Sequence, residues 1–191
     1  MSLRKIKVET LKKTTAVEIY ELGDTLVSII GIHAIRIKDT GKIIDDLRYI
    51  SNKVVLQAID ANIVYGIEHI IEVLKITLES EKRKIMVASK PEMDLLLRLS
   101  CTDQISRALR YGGLKNNTNN CFIILSKDKR ELLKVIDYIQ RSFEVNNAIL
   151  KPSKAKRKMI SHNIGLANAS KIFNDRLFMM YLLERASLIT K

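Results

Sequence analysis

The chain has 191 residues, 47% hydrophobic and 28% charged, enough apolar content to fold around a core and too much for a disordered polyanion binder. Lysine and arginine number 33 against 21 acidic residues, a net charge of +12 that points to a polyanionic partner, most readily nucleic acid. Aromatics are only 5% with no Trp, which argues against a broad stacking platform for bases. The strongly apolar stretches, 26–37 and 177–183, fall short of the roughly 20 residues that span a bilayer, so no membrane association is expected.

The basic start, Arg4-Lys5-Ile6-Lys7, runs into mixed charge and not an apolar signal core, so a cytoplasmic protein is expected. Residues 1–25 are weakly patterned and predict a loosely attached or short-stranded segment. Residues 26–37 are rich in β-branched side chains and predict one bent strand or two short ones, interrupted at Gly31. Asp-Thr-Gly at 39–41 punctuates, and Ile43, Ile44, Leu47 and Ile50 follow at helical spacing. Residues 54–59 predict a strand closed by Asp60.

The clearest helix carries Ile63, Ile67, Ile70, Ile71, Leu74 and Leu78 on one stripe and Glu68, Glu72, Lys75 and Glu79 on the other, with Asp60 or Asn62 as its N-cap. His69 beside Glu68 and Glu72 reads as a partly exposed helix histidine. Lys82, Arg83 and Lys84 break the pattern. Pro91 then restricts Lys90, and 95–99 reads as a strand, with a helix as the alternative.

Residues 102–111 predict a helix, 112–120 a polar loop, 121–125 a strand and 128–143 an amphipathic helix. Ser100 and Asp103 have capping-box spacing, which starts the helix at Cys101 or Thr102 and sends Ile105, Ala108 and Leu109 to the core. Arg107 and Arg110 share its outer face. Residues 144–158 read as a linker with Lys151, Lys154, Lys156, Arg157 and Lys158, and a final helix covers about 168–188. The irregular order predicts an α+β (mixed α/β) fold: a single domain over 26–191 with a small central sheet flanked by helices.

No glycine-rich phosphate loop, serine elbow or paired-histidine zinc motif occurs, and Cys101 and Cys121 lack metal-site spacing. No catalytic site, metal or cofactor is expected, and the cysteines read as reduced thiols.

Residues 95–125, LLLRLSCTDQISRALRYGGLKNNTNNCFIIL, resemble the signature of the KEOPS tRNA-recruiting subunit family, known in animals as the PRPK-binding protein family. Ser100, Gln104, Ile105, Ser106, Ala108 and Leu109 match its turn and helix. Upstream, Val55–Ala61 with Val64, Gly66, Glu68 and His69, the basic turn at 82–85, and Leu183–Leu188 resemble further family stretches in the same order. The resemblance covers about 28–145 and the last 20 or so residues. It departs at Cys101, where the family usually has glycine; if that position has φ > 0, Cys101 is strained there.

The resemblance implies a subunit without catalysis of its own, in a complex that makes threonylcarbamoyladenosine in tRNA. It implies two partners: the single-stranded 3′ CCA end of tRNA and a kinase-like ATPase subunit. Lys82, Arg83, Lys84, Gln104, Arg107, Arg110 and Lys115 are the candidate RNA contacts, since they cluster in sequence around the matched segment.

The last helix is apolar on every side, which predicts a second packing surface. Phe173, Leu177, Met180 and Tyr181 are assigned to the core, and Phe178, Met179 and Leu182 to docking the kinase-like subunit. A standalone RNA-binding module and an enzyme with a dispersed site are the competing readings. The Ile- and Lys-rich composition suits an archaeal cytosol.

Overall fold

The computed structural model describes residues 3–8, 17–36, 40–166 and 174–190. Contacts divide the chain into two compact units, residues 1–59 with 114–149, and residues 60–113 with 150–191. Strands and helices are mixed as the α+β class predicts.

The first unit holds a sheet in the order β1-β2-β3-β5-β4, formed by Leu3–Val8, Val17–Leu22, Thr25–Ile35, Thr118–Ser126 and Val55–Asp60, named β1, β2, β3, β5 and β4 in that order. The pairs β1–β2, β2–β3 and β3–β5 are antiparallel. The weakly patterned N-terminal segment thus supplies two strands, with a turn through Gly23 and Asp24 leading into β3.

The irregularity foreseen in β3 lies beyond Gly31. The register with β5 slips between Ile32 and Ile35, where two residues, His33 and Ala34, oppose the single Asn119, with Ala34 at φ 32°. Gly31 has another role. β2 pairs with β3 only as far as Ser28, and past it residues 144–146 lie alongside, with Asn146 N–H donating to Gly31 O at 2.8 Å. A β-carbon at Gly31 would sit 2.6 Å from Asn146 O.

Two helices cover a face of this sheet, α1 (Thr40–Ile50) and α5 (Lys129–Ser142). Leu47 from α1 and Leu132, Val135, Ile136 and Ile139 from α5 pack with Ile19, Ile30, Ile32, Leu56, Phe122 and Ile124. Asp128 caps α5 by accepting from Arg130 N–H at 2.8 Å.

The second unit is helical. Asp60 caps only a 3-10 turn, Ala61–Ile63, and α2 (Ile67–Lys82) begins later, at Gly66 with φ 99°. That backbone angle favours glycine and resets the chain, so neither Asp60 nor Asn62 caps α2.

The segment read as a strand is α3 (Pro91–Leu99). Pro91 opens its first turn, and Glu92 and Asp94 complement the helix dipole there. α4 (Ile105–Gly112) and α7 (Asp175–Ser187) follow the predicted order, whereas part of the basic linker is α6 (Lys154–Asn163), capped by Ser153 accepting from Lys156 N–H at 3.2 Å. The start of the predicted last helix, with Phe173, lies outside the described residues. No helix of the described residues is long and apolar enough to cross a membrane.

Candidate functional site

The signature segment folds differently from a capped helix. Ser100 ends α3, with its N–H donating to Leu96 O at 3.0 Å. Cys101 turns the chain through φ 50°, the left-handed conformation anticipated from the family glycine. Thr102 Oγ1 accepts from Gln104 N–H at 3.3 Å, and α4 starts only at Ile105, with no side-chain cap from Gln104. The Ser100–Asp103 spacing therefore straddles two helices. In α4 only Ala108 and Gly112 are buried, and Ile105 and Leu109 stand 49% exposed, not in the core.

This turn forms one side of a cleft of about 330 Å³, lined by Cys101, Thr102, Asp103, Arg107, Arg185 and the chain from Leu188 to Thr190. Two arginines and one aspartate are among the residues that line it, so the cleft favours an anion. Arg107 is held from behind. Its Nη2 donates to Asn163 O of α6 at 3.1 Å, and its guanidinium lies 5.5 Å from the Tyr111 ring centre. Burial pushes the Cys101 thiol up to about 11, with Arg185 pulling the other way, so it stays protonated.

Arg98 fixes the far wall. It is buried, with Nε donating to Asp94 Oδ2 at 2.7 Å, Nη1 to Ala186 O at 2.8 Å and Ile189 O at 3.3 Å, and Nη2 to Ser80 Oγ at 3.2 Å. Sequence reasoning passed over Arg185 as a cleft residue, because α7 lies far along the chain from the signature turn it meets.

The other candidate cations do not all gather here. Arg83 lines a separate cleft of about 600 Å³ with Glu72, Lys75, Ile76, Glu79, Ser80, Ile85, Leu183, Glu184 and Ser187. There Arg83 pairs with Glu79 and Lys75 with Glu72, both at 2.6 Å. Lys82 ends α2 and Lys84 follows at φ 59°. Gln104, just before α4, and Arg110, on it, are exposed, and Lys115 belongs to the first unit, where its N–H donates to Asn120 Oδ1 at 3.0 Å.

The two sides of α7 are the reverse of the expected ones. Phe178 and Leu182 are fully buried, and Met179 packs half-buried against the same cluster, with Tyr65, Cys101 and Ile160. Leu177 and Met180, expected in the core, are 45% and 56% exposed, and Tyr181 is half-buried. Leu177, Met180, Leu183, Glu184 and Ser187 share one face by helical spacing, and the last three line the Arg83 cleft. Ile76 and the 58%-exposed Ile85 extend that face as an apolar patch rimmed by charges.

His69 is sealed inside, contrary to the partly exposed reading. Its Nδ1 accepts from Tyr65 N–H at 3.3 Å, and burial, then the Lys156 charge, depresses it to about 4. Tyr65 donates its hydroxyl to Asp175 Oδ1 at 2.6 Å, and burial followed by that carboxylate pushes the phenol up to about 12. Among the described residues no three His, Cys, Asp or Glu side chains converge as a metal site.

Comparison with curated proteins gives no match. The family model described as kinase binding protein CGI-121 matches residues 35–174, well over half of the chain and nearly all of the block that carries the sequence resemblance. The chain belongs to this family of kinase-binding proteins.

Proposed function

We propose that this chain is a non-catalytic, cytoplasmic subunit of a KEOPS-type complex that holds the 3′ CCA end of tRNA and docks the complex's kinase-like ATPase, supporting threonylcarbamoyladenosine formation. The observation that carries the RNA half is that Arg107 and Arg185 both line a small cleft at the signature turn. Its size suits the end of a strand and not a long groove, in keeping with the scarcity of aromatics. Of the candidate cations, Arg107 is the one in this cleft; Gln104, just before α4, and Arg110, on that helix, flank it. Arg83 is already paired in a glutamate-rich setting, which suits a protein surface better than RNA.

The kinase-like partner is assigned to the outward face of α7 with Ile76 and Ile85. Exposed apolar side chains ringed by charge are the ordinary make-up of a protein interface.

The test compares intact tRNA with tRNA lacking its CCA end, at two salt concentrations. The expected result is a loss of affinity on trimming that Arg107→Glu abolishes by weakening only the intact tRNA. Equal binding of the two tRNAs with a steep salt dependence overturns end recognition and leaves a generic RNA-binding module.

A further inference from the structure

We infer that α6 is a phosphate track that leads an RNA strand into the Arg107–Arg185 cleft, a role that rests on the end-binding reading above. The sequence from 145 to 174 contains no acidic residue, yet holds Lys151, Lys154, Lys156, Arg157 and Lys158. Helix stability does not account for this. The first turn of α6 has no acidic residue and three cations, where the helix dipole disfavours positive charge. Of these three, Lys156 and Arg157 are drawn into the fold, and Lys154 is left at the surface with nothing in the helix to favour it.

The fold sorts these cations. Lys156 is buried beside His69. Arg157 is largely covered, donating to Asp175 Oδ1 at 3.1 Å with its guanidinium 5.1 Å from the Phe178 ring centre. Lys154, Lys158 and His162 are exposed at four-residue spacing, so they form one outward stripe, with exposed Lys151 just before it. Each step along the stripe is about 6 Å, comparable to the step between successive phosphates of an extended strand.

The stripe leads to the cleft. Asn163 O, at the last residue of α6, accepts from Arg107 Nη2. A strand lying on Lys154 and Lys158 is thereby delivered to the guanidinium that lines the cleft. A membrane surface is a poorer fit, because Ile160 of α6 is buried in the unit's own core and Met159, 44% exposed, is the one large apolar side chain that α6 offers beside the lysines.

The experiment measures binding of intact and CCA-trimmed tRNA by the full chain and by Lys154→Gln/Lys158→Gln over a series of salt concentrations. Both lysines are exposed, so the variant folds, which circular dichroism verifies. The expected result is weaker binding of both tRNAs by the same factor, with a log–log salt slope shallower by about 1.4–1.8 for the two lysines. Unchanged affinity and slope, with the difference between intact and trimmed tRNA retained, overturns the track and leaves the end-binding cleft standing; an acidic protein partner then fits the stripe. A shallower slope without any effect of trimming sustains α6 as an RNA surface while end recognition fails. Neither effect defeats both.

Discussion

Arg98 and Asp94 form an ion pair of 2.7 Å, one turn apart on α3, with side chains only 3% and 0% exposed. The carboxylate's other oxygen accepts from Val87 N–H at 2.7 Å, and the guanidinium holds the carbonyls of Ala186 and Ile189. One buried pair thus ties the chain before α3 to the end of α7, and so sets the wall of the Arg107 cleft. Arg98→Met leaves Asp94 charged and unpaired in the interior, which costs about 3–5 kcal/mol. Urea denaturation is expected to record that loss, with tRNA affinity falling as the 188–190 wall loosens. The double variant Asp94→Leu/Arg98→Met is expected to recover part of the stability.

His69 makes stability depend on pH in a defined direction. Its ordinary value of 6.5 falls to about 4 in the fold, so between these values the unfolded chain binds the extra proton. Stability is therefore full above about pH 6.5 and falls as the pH drops toward 4. The full difference is on the order of 3 kcal/mol. Denaturant titrations at pH 7.5, 5.5 and 4.5 are expected to show this loss, and His69→Gln to remove most of the slope. The carboxylates of Asp24 and Glu131, held low chiefly by hydrogen bonds from Lys127 and Lys134, add to the slope only at more acidic pH.

Helical period made α1 and α5 legible, and short apolar runs with clear stops made β4 and β5 legible. α3 was misread because Leu95-Leu96-Leu97 gives no period, and the informative signal lay upstream in Pro91 and its acidic first turn. Ser100 and Asp103 imitated a capping box because spacing alone does not reveal that Ser100 closes the preceding helix. His69 was misplaced because Glu68 and Glu72 suggested the outward side, whereas Lys156 and the helix it sits on arrive from far along the chain. The same distance hid Arg185. Arg107 was chosen as one of the cations clustered in sequence around the family signature, and it stands exposed on α4.

Cys101 combines φ 50° with a buried side chain in the Tyr65–Phe178 cluster. Replacing it by glycine removes left-handed strain of about 1–2 kcal/mol. It also frees the unfolded chain by about 0.4–1 kcal/mol and loses the packing of the thiol. Cys101→Gly is therefore expected to stay within about 1 kcal/mol of the parent. Cys101→Val, β-branched at positive φ, is expected to cost more than either effect alone. Thermal melts separate the two. Because burial holds the thiol near 11, native protein is also expected to resist alkylation at pH 8, and unfolded protein to react at both cysteines.

The two sides of α7 give the sharpest contrast between fold and docking. Phe178 is fully buried, its ring meeting Tyr65 edge-on at 4.9 Å between centres, so Phe178→Ala is expected to cost about 3–5 kcal/mol. Met180 is 56% exposed on the opposite side, and Met180→Glu is expected to change stability by less than about 0.5 kcal/mol. If the outward side docks the kinase-like subunit, Met180→Glu abolishes co-purification while the melting temperature holds, and Ile85→Glu does the same from across the cleft. A charge buried at an interface without a partner is enough for that effect. Retained co-purification in both variants removes this face as the docking surface, while tRNA binding by the same variants keeps the cleft at Arg107 open to its own test.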